Sequence, residues 1–176
     1  MTSSISTTYC TYQSPVGSLL IGGENGGLEF IRFPESKRRH ELAENWVEDE
    51  GPYDELIAQL TSYFAGELKV FSLDWQLNGT DFQKSVWAQL AKIPFGETRS
   101  YGDVAKALGN PGASRAVGLA NNANPLPIVI PCHRVIGANG ALVGFGGGLD
   151  TKVWLLDHEN IPHGTKSNKD QMAFNF

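Results

Sequence analysis

Three prolines within seven residues, Pro125, Pro127 and Pro131, constrain this chain more than any other feature of its sequence. Each removes a backbone donor and fixes φ, so the run Pro125-Leu126-Pro127-Ile128-Val129-Ile130-Pro131 is excluded from a helix and from a regular central strand. Its other side chains are all apolar, which predicts a stiff, extended, buried segment. That segment delivers Cys132, His133 and Arg134 to a fixed place beside a core. A His and an Arg next to a merely buried cysteine would need partners of their own. Cys132 is therefore the candidate nucleophile. A thiol with a pKa near 8.5 is only about 3% ionised at neutral pH, so it needs help. His133 is the nearest base. On an extended chain neighbours face opposite ways, so His133 reaches the sulfur through a water or where the chain turns. Glu159, at the end of the last predicted helix, is placed to orient His133 in a Cys–His–Glu relay.

The N-terminal half has a different pattern. Residues 9–13, 18–21 and 28–33 predict an antiparallel meander, separated by Ser14-Pro15-Val16-Gly17 and a glycine-rich turn over 22–27. Residues 36–51 are charged and unpatterned, as in a solvated loop or short surface helix. Pro52 opens a helix with Leu56, Leu60, Tyr63 and Phe64 on one face, and Gly66 closes it. Residues 70–73 predict a short strand, and Asn78-Gly79 a turn and boundary. Residues 1–78 thus read as an α/β scaffold without a nucleophile constellation.

Residues 79–164 read as helical. Thr80 or Asp81 caps a helix whose apolar face is Phe82, Val86, Leu90 and Ile93. Ser100 caps the next, with Asp103 three residues on. A four-residue turn, Gly109-Asn110-Pro111-Gly112, leads to a third helix over 113–123. Two short helices on such a turn suit a helix-turn-helix, although plain packing pairs have the same form. The third helix carries one cation, Arg115, among Ala113, Ser114, Ala116, Gly118 and Ala120. Small residues let a backbone approach closely, which suits shape-based minor-groove docking better than base reading in the major groove. The glycine-rich loop over 137–148 lacks the phosphate-loop pattern. A last helix over 151–160 places Val153, Trp154 and Leu156 on apolar positions. The tail 165–176 is polar until Phe174 and Phe176 and is a candidate disordered segment.

Charge sharpens the division. The net charge of −5 argues against coating nucleic acid by bulk electrostatics. Yet residues 1–78 hold 12 acidic and 5 basic side chains, while 79–148 hold 3 acidic and 6 basic. The acid belongs to the front module. No run of about 18 apolar residues predicts a membrane span. The start, MTSSISTTYC, lacks the cations and apolar stretch of a secretory signal. Two cysteines are too few for a disulfide scaffold, and His40, His133, His158 and His163 have no metal-ligand spacing. The expectation is a reduced intracellular protein with no metal.

The stretch Pro131-Cys132-His133-Arg134-Val135 resembles the active-site signature of the O6-alkylguanine-DNA alkyltransferases. The likeness runs from Gly79 to Glu159 through GTDFQKSVWAQLAKIPFGETRSYGDVAKALG, GASRAVGLANNANPLPIVIPCHRVIG and GGGLDTKVWLLDHE. SPVGSLLI and LTSYFAGEL match in general style. The resemblance implies an α/β N-terminal domain of ribonuclease H-like strands plus a helix over 1–78. A mainly α DNA-binding and active-site domain with a helix-turn-helix follows over 79–164. It implies direct repair: irreversible, stoichiometric transfer of the alkyl group from O6-alkylguanine, and O4-alkylthymine, in double-stranded DNA to Cys132 after base flipping.

In that scheme His133 is the base and Glu159 polarises it. Tyr101 crowds the target phosphate and assists the leaving guanine, and Asn124 pins the turn before the cysteine. Arg115 fills the stack, with Ser100, Ala116 and Gly118 along the minor groove. Val135, Phe145, Gly146, Gly147 and Trp87 form the substrate pocket. Phe145 stands where many relatives carry Tyr, so one pocket hydroxyl is absent; Gly146 stands where some carry a hydroxyl residue, so a side-chain hydrogen bond to O6 is absent, and the glycine implies a wider pocket open to larger alkyl groups. The scheme needs no cofactor. It implies a monomer, possible cooperativity on DNA, and a location with the DNA, cytoplasmic in a prokaryote and nuclear in a eukaryote. Two alternatives remain: a non-catalytic alkyltransferase-like lesion sensor, against which Cys132 itself argues, and a cysteine hydrolase, which leaves Arg115 without a role.

Overall fold

A computed structural model describes residues 5–37 and 42–164; His40 and the tail 165–176 fall outside the described residues. The chain divides into two compact units, Met1–Asn78 and Gly79–Phe176.

In the first unit β1 (Thr7–Ser14) and β2 (Gly17–Glu24) form a hairpin, and β3 (Phe30–Arg32) pairs antiparallel with β2. Gly17 closes the hairpin at φ 102°, where an L side chain is strained and a Cβ would stand 2.7 Å from Pro34. The sheet order is β3-β2-β1-β4. The fourth strand corrects the reading of 36–51 as loop or helix. β4 (Val47–Glu48) runs parallel to β1, and its pairing continues in the bond from the Asp49 N–H to the Tyr9 carbonyl. Both its residues are exposed, so no hydrophobic period marks it.

A 3₁₀ turn at Gly51–Tyr53 leads into α1 (Asp54–Phe64), which buries Leu56, Leu60 and Tyr63. The Tyr53 hydroxyl donates to the Thr8 carbonyl at 2.9 Å and ties the helix start to β1. Gly66, at φ 80°, ends α1: its N–H bonds the Tyr63 carbonyl while the Glu67 N–H bonds that of Ser62. The strand expected at 70–73 does not form. Gln59 takes the place of a neighbouring strand there, its amide bonding both the Ser72 N–H (2.9 Å) and the Ser72 carbonyl (2.8 Å). Val70 is left 76% exposed.

The second unit begins with α2 (Asp81–Leu90). Thr80 caps it in a reciprocal box with Gln83. Val86, Trp87 and Leu90 are buried, but Phe82, expected on the apolar face, is 37% exposed. The short β5 (Arg99–Ser100) leads into α3 (Tyr101–Ala107), capped by Ser100 and Asp103 in a second box. Gly109 at φ 74° closes α3, and a 3₁₀ turn at Pro111–Ala113 starts α4 (Ser114–Asn122). The proline-rich run then departs from the extended form expected of it. The Ile130 N–H bonds back to the Leu126 carbonyl, and Ile128 sits at φ 75°. The run is a compact buried turn that leads into the 3₁₀ turn Cys132–Arg134 and β6 (Val135–Ile136), which pairs parallel with β5. The last helix, α5 (Leu149–His158), starts two residues earlier than expected. It buries Lys152, Leu155 and Leu156 rather than Val153 and Trp154. Leu142, Leu156 and Ile161 form a core cluster with Ile136, Leu149 and Val153.

Candidate active site

Because the chain turns at the cysteine, the opposite-faces expectation for an extended strand does not apply. Cys132 is the first residue of the 3₁₀ turn, 3% exposed, and the Val135 N–H closes that turn on the Cys132 carbonyl. Asn124 fixes the approach: its Nδ2 donates to the Ile130 carbonyl at 2.8 Å and its Oδ1 accepts from the Leu126 N–H at 3.0 Å. Burial pushes the Cys132 thiol above its ordinary range; a hydrogen bond with the Asn124 side chain and the charge of Lys152 act against that rise.

Behind the cysteine lies a buried ionic network. His133 is wholly buried, with Nε2 2.7 Å from Glu159 Oε1. Arg134 grips the same carboxylate twice, Nε to Oε2 at 2.8 Å and Nη2 to Oε1 at 2.9 Å, and its Nη1 donates to the Ile93 carbonyl at 2.6 Å. Burial alone would raise the Glu159 carboxyl, but the bonds from His133 and Arg134 hold it well below the usual carboxylate range. Burial lowers His133 and outweighs the pull of Glu159, so the imidazole is neutral at neutral pH. An ionised Glu159 then assigns the His133 proton to Nε2. His133 Nδ1 carries the lone pair, and it has no hydrogen-bond partner among the described residues.

Tyr101, at the start of α3, is half-buried, and burial above all raises its hydroxyl, with the charge of Cys132 adding to the rise. Arg115 and Ala116 are exposed on α4. Gly118 is buried, since helical spacing turns it to the core, so it is not part of the exposed face. Leu119, four residues after Arg115, is 49% exposed on the same face. The Ser100 hydroxyl accepts from the Asp103 N–H at 3.0 Å, so it is engaged in the helix cap. Trp87, expected in the pocket, is a core residue: it is 2% exposed and its indole donates to the Ala120 carbonyl at 2.8 Å, joining α2 to α4. Val135 and Gly147 are buried, Phe145 is half-buried and Gly146 exposed, with nothing within 4 Å of a Cβ built on Gly146. Among the described residues no group of three or more His, Cys, Asp or Glu is arranged to hold a metal ion, and no helix is long and apolar enough to cross a membrane.

The sequence reading missed Lys152. It is wholly buried on α5, its Nζ donating to the carbonyls of Val135 at 2.6 Å and Val143 at 3.2 Å. A signal was present. Residues 152, 155, 156 and 159 share one helix face, so a buried Glu159 implied a buried Lys152.

A pair of helices joined by a short turn, in the same unit as a buried cysteine followed by a His–Glu pair, suits a nucleic-acid-binding protein with a cysteine at its site. Comparison with known proteins agrees. The 6-O-methylguanine DNA methyltransferase ribonuclease-like domain matches residues 7–77, and the DNA binding domain of the same family matches 81–161. The chain belongs to the 6-O-methylguanine DNA methyltransferase family. A methylated-DNA--protein-cysteine methyltransferase of Methanosarcina acetivorans is 53% identical over 151 residues, 86% of this chain and 97% of the relative. One of Mycobacterium leprae is 47% identical over 83% of this chain and 88% of the relative. The crystal structure of Mycobacterium tuberculosis OGT in complex with DNA superposes with a TM-score of 0.80 at 48% identity, over 87% of this chain and 93% of that one.

Proposed function

We propose that the protein repairs DNA directly by moving the alkyl group of O6-alkylguanine, and of O4-alkylthymine, onto Cys132. One observation carries the reading: Cys132 opens a buried turn whose next residue, His133, offers an Nδ1 without a partner among the described residues while Glu159 holds its Nε2. His133 takes the thiol proton through an intervening water. The sulfur–carbon bond forms as the carbon–O6 bond breaks, and the electron pair leaves on the guanine. The Tyr101 hydroxyl hydrogen-bonds the departing base, and the proton taken from the thiol passes from His133 through water to the guanine ring, which leaves neutral. The products are a thioether and an unmodified guanine. Nothing in the site removes the alkyl group, so each molecule acts once.

The target base is reached by flipping, which costs a few kcal/mol. Arg115 offsets part of this by filling the stack from the minor groove, with Ala116 and the capped start of α3 at Ser100 lying along it. Val135 offers its backbone to the guanine amino group, and Phe145, Gly146 and Gly147 wall the alkyl pocket. The protein acts as a monomer, with residues 1–78 as scaffold and 79–164 as the DNA-binding and catalytic part. The relatives named as methylated-DNA--protein-cysteine methyltransferases and the DNA complex of the Mycobacterium tuberculosis protein support this reading. A duplex carrying methyl-labelled O6-methylguanine tests it. Label fixed on protein in one-to-one yield is the expected result. Released label with repeated turnover would instead indicate a cysteine hydrolase, and binding without transfer a lesion sensor.

A further inference from the structure

We propose that Arg134 is a positioning residue for the alkyl transfer: it cancels the charge of Glu159, so that this carboxylate orients His133 without drawing a second proton onto it. The inference deepens the reading of Cys132 as acceptor and rests on it. A general base needs a free lone pair, and an ionised carboxylate in hydrogen-bond contact with an imidazole works against that, since a nearby anion favours the imidazolium. Glu159 stands in that position, its Oε1 2.7 Å from His133 Nε2. The same oxygen accepts from Arg134 Nη2 at 2.9 Å, and Oε2 accepts from Arg134 Nε at 2.8 Å. The two-bond pair is buried, Arg134 being 5% and Glu159 2% exposed, so solvent screens it little. His133 therefore faces a neutral guanidinium–carboxylate unit rather than a bare anion. It keeps the directional bond that fixes its tautomer and loses most of the charge that would protonate it.

Arg134 is itself held in place. Its Nη1 donates to the Ile93 carbonyl at 2.6 Å and its guanidinium carbon lies 5.7 Å from the centroid of the Phe95 ring, so the fork is anchored by the segment after α2 as well as by Glu159. The charged groups that face His133 are Glu159 and Lys152 from α5 and Arg134 from its own turn, while the Ile93 carbonyl and the Phe95 ring carry no charge. Burial above all lowers His133; the bond with Glu159 raises it, and the charges of Arg134 and then of Lys152 lower it. Lys152 donates to the carbonyls of Val135 and Val143, which leaves Arg134 as the cation in contact with the carboxylate among the described residues. The competing account is purely structural: Arg134 only ties Glu159 to the segment after α2.

The full-length protein with Arg134→Met or Arg134→Lys separates the two. The single-turnover rate of methyl transfer is measured at saturating methylated duplex across a pH series, and the His133 ring nitrogens are followed by NMR over the same series. Wild type should show a neutral His133 with its proton on Nε2 at pH 7, and a rate that falls only below about pH 6.5. In Arg134→Met both midpoints should rise together by about one unit, slowing transfer on the acid limb about tenfold. Arg134→Lys keeps a charge at the carboxylate without the fork, and it should return both midpoints to their wild-type place even where its stability is lower. Midpoints in Arg134→Met equal to wild type would overturn the proposal whatever the loss of rate or stability, because a tie alone predicts that result. So would an equal rise in the two variants, which would follow the fork and not the charge. Should Arg134→Met not fold, wild type serves: the Arg134 Nε signal should move with the His133 midpoint, because both groups share Glu159, and an imidazolium at pH 7 or an unmoved Arg134 signal overturns the proposal. Methyl label found elsewhere than Cys132 in wild type would instead remove the reading beneath it.

Discussion

His133 Nε2 and Glu159 Oε1 stand 2.7 Å apart with both side chains wholly buried, and the other imidazole nitrogen has no partner among the described residues. The carboxylate fixes which nitrogen holds the proton. It also carries Arg134, so removing its charge disturbs two groups at once. Replacing Glu159 by Gln leaves the buried guanidinium unpaired, and breaking such a pair typically costs about 3–5 kcal/mol. Denaturant unfolding of Glu159→Gln should show a loss of that order, together with slower methyl transfer. Unchanged stability would mean that the network is not closed in solution.

The same carboxyl gives stability a pH dependence. Its folded pKa lies below the unfolded value, so its contribution is complete above about pH 4.3 and is lost as pH falls toward the folded pKa. Wild type should therefore lose stability on acidification from that point. Glu159→Gln should lose less over the same window, measured by thermal unfolding across an acid pH series.

His163 has the opposite sign. Its Nε2 lies 2.9 Å from Asp157 Oδ1 and its Nδ1 3.1 Å from the Gly164 carbonyl, so both nitrogens face acceptors and the imidazolium is favoured. The bond with Asp157 raises its pKa. Its contribution is complete below about pH 6.5 and fades as pH rises through the raised value. The Tm difference between wild type and His163→Asn should shrink from mildly acid to mildly alkaline pH. A constant difference would refute the charge-based role.

Much of the helical unit was legible from short-range chemistry. Thr80 and Ser100 each cap a helix, and Gln83 and Asp103 complete the boxes, because capping depends on residues three apart in sequence. The Cys–His–Glu relay was legible as a hypothesis from Cys132, His133 and the face of the last helix. What was not legible depends on distant partners. β4 is two exposed residues paired across a long connection, and residues 70–73 look like a strand but meet the Gln59 side chain instead of a backbone. The prolines exclude regular structure, yet they do not impose extension, since Ile128 turns the chain back at positive φ. Lys152 was hidden because lysine in a first helical turn is ordinarily solvated.

Arg115 is exposed on α4 and makes no ion pair among the described residues. As a wedge it matters for duplex substrate only. Arg115→Ala should slow repair of O6-methylguanine in duplex by tenfold or more, on the order of 1.4 kcal/mol, while reaction with the free modified base changes little. Equal loss on both substrates would remove the wedge role.

Gly146 is exposed, and a Cβ there meets nothing within 4 Å. Gly146→Trp should fold, since its backbone accepts a side chain, and should discriminate against benzyl adducts while still clearing methyl ones. Competition among methyl, ethyl and benzyl adducts measures this. A wild type inert to benzyl adducts would show that the glycine does not widen the pocket.

The central claim is that Cys132 is the acceptor, and peptide mapping after a single exposure to methylated duplex tests it most directly. The account predicts one methyl group per molecule, located on Cys132, with none on Cys10, and no transfer by Cys132→Ala although it still binds DNA. Transfer that survives in Cys132→Ala, or a methyl group mapped to any other residue, would contradict it.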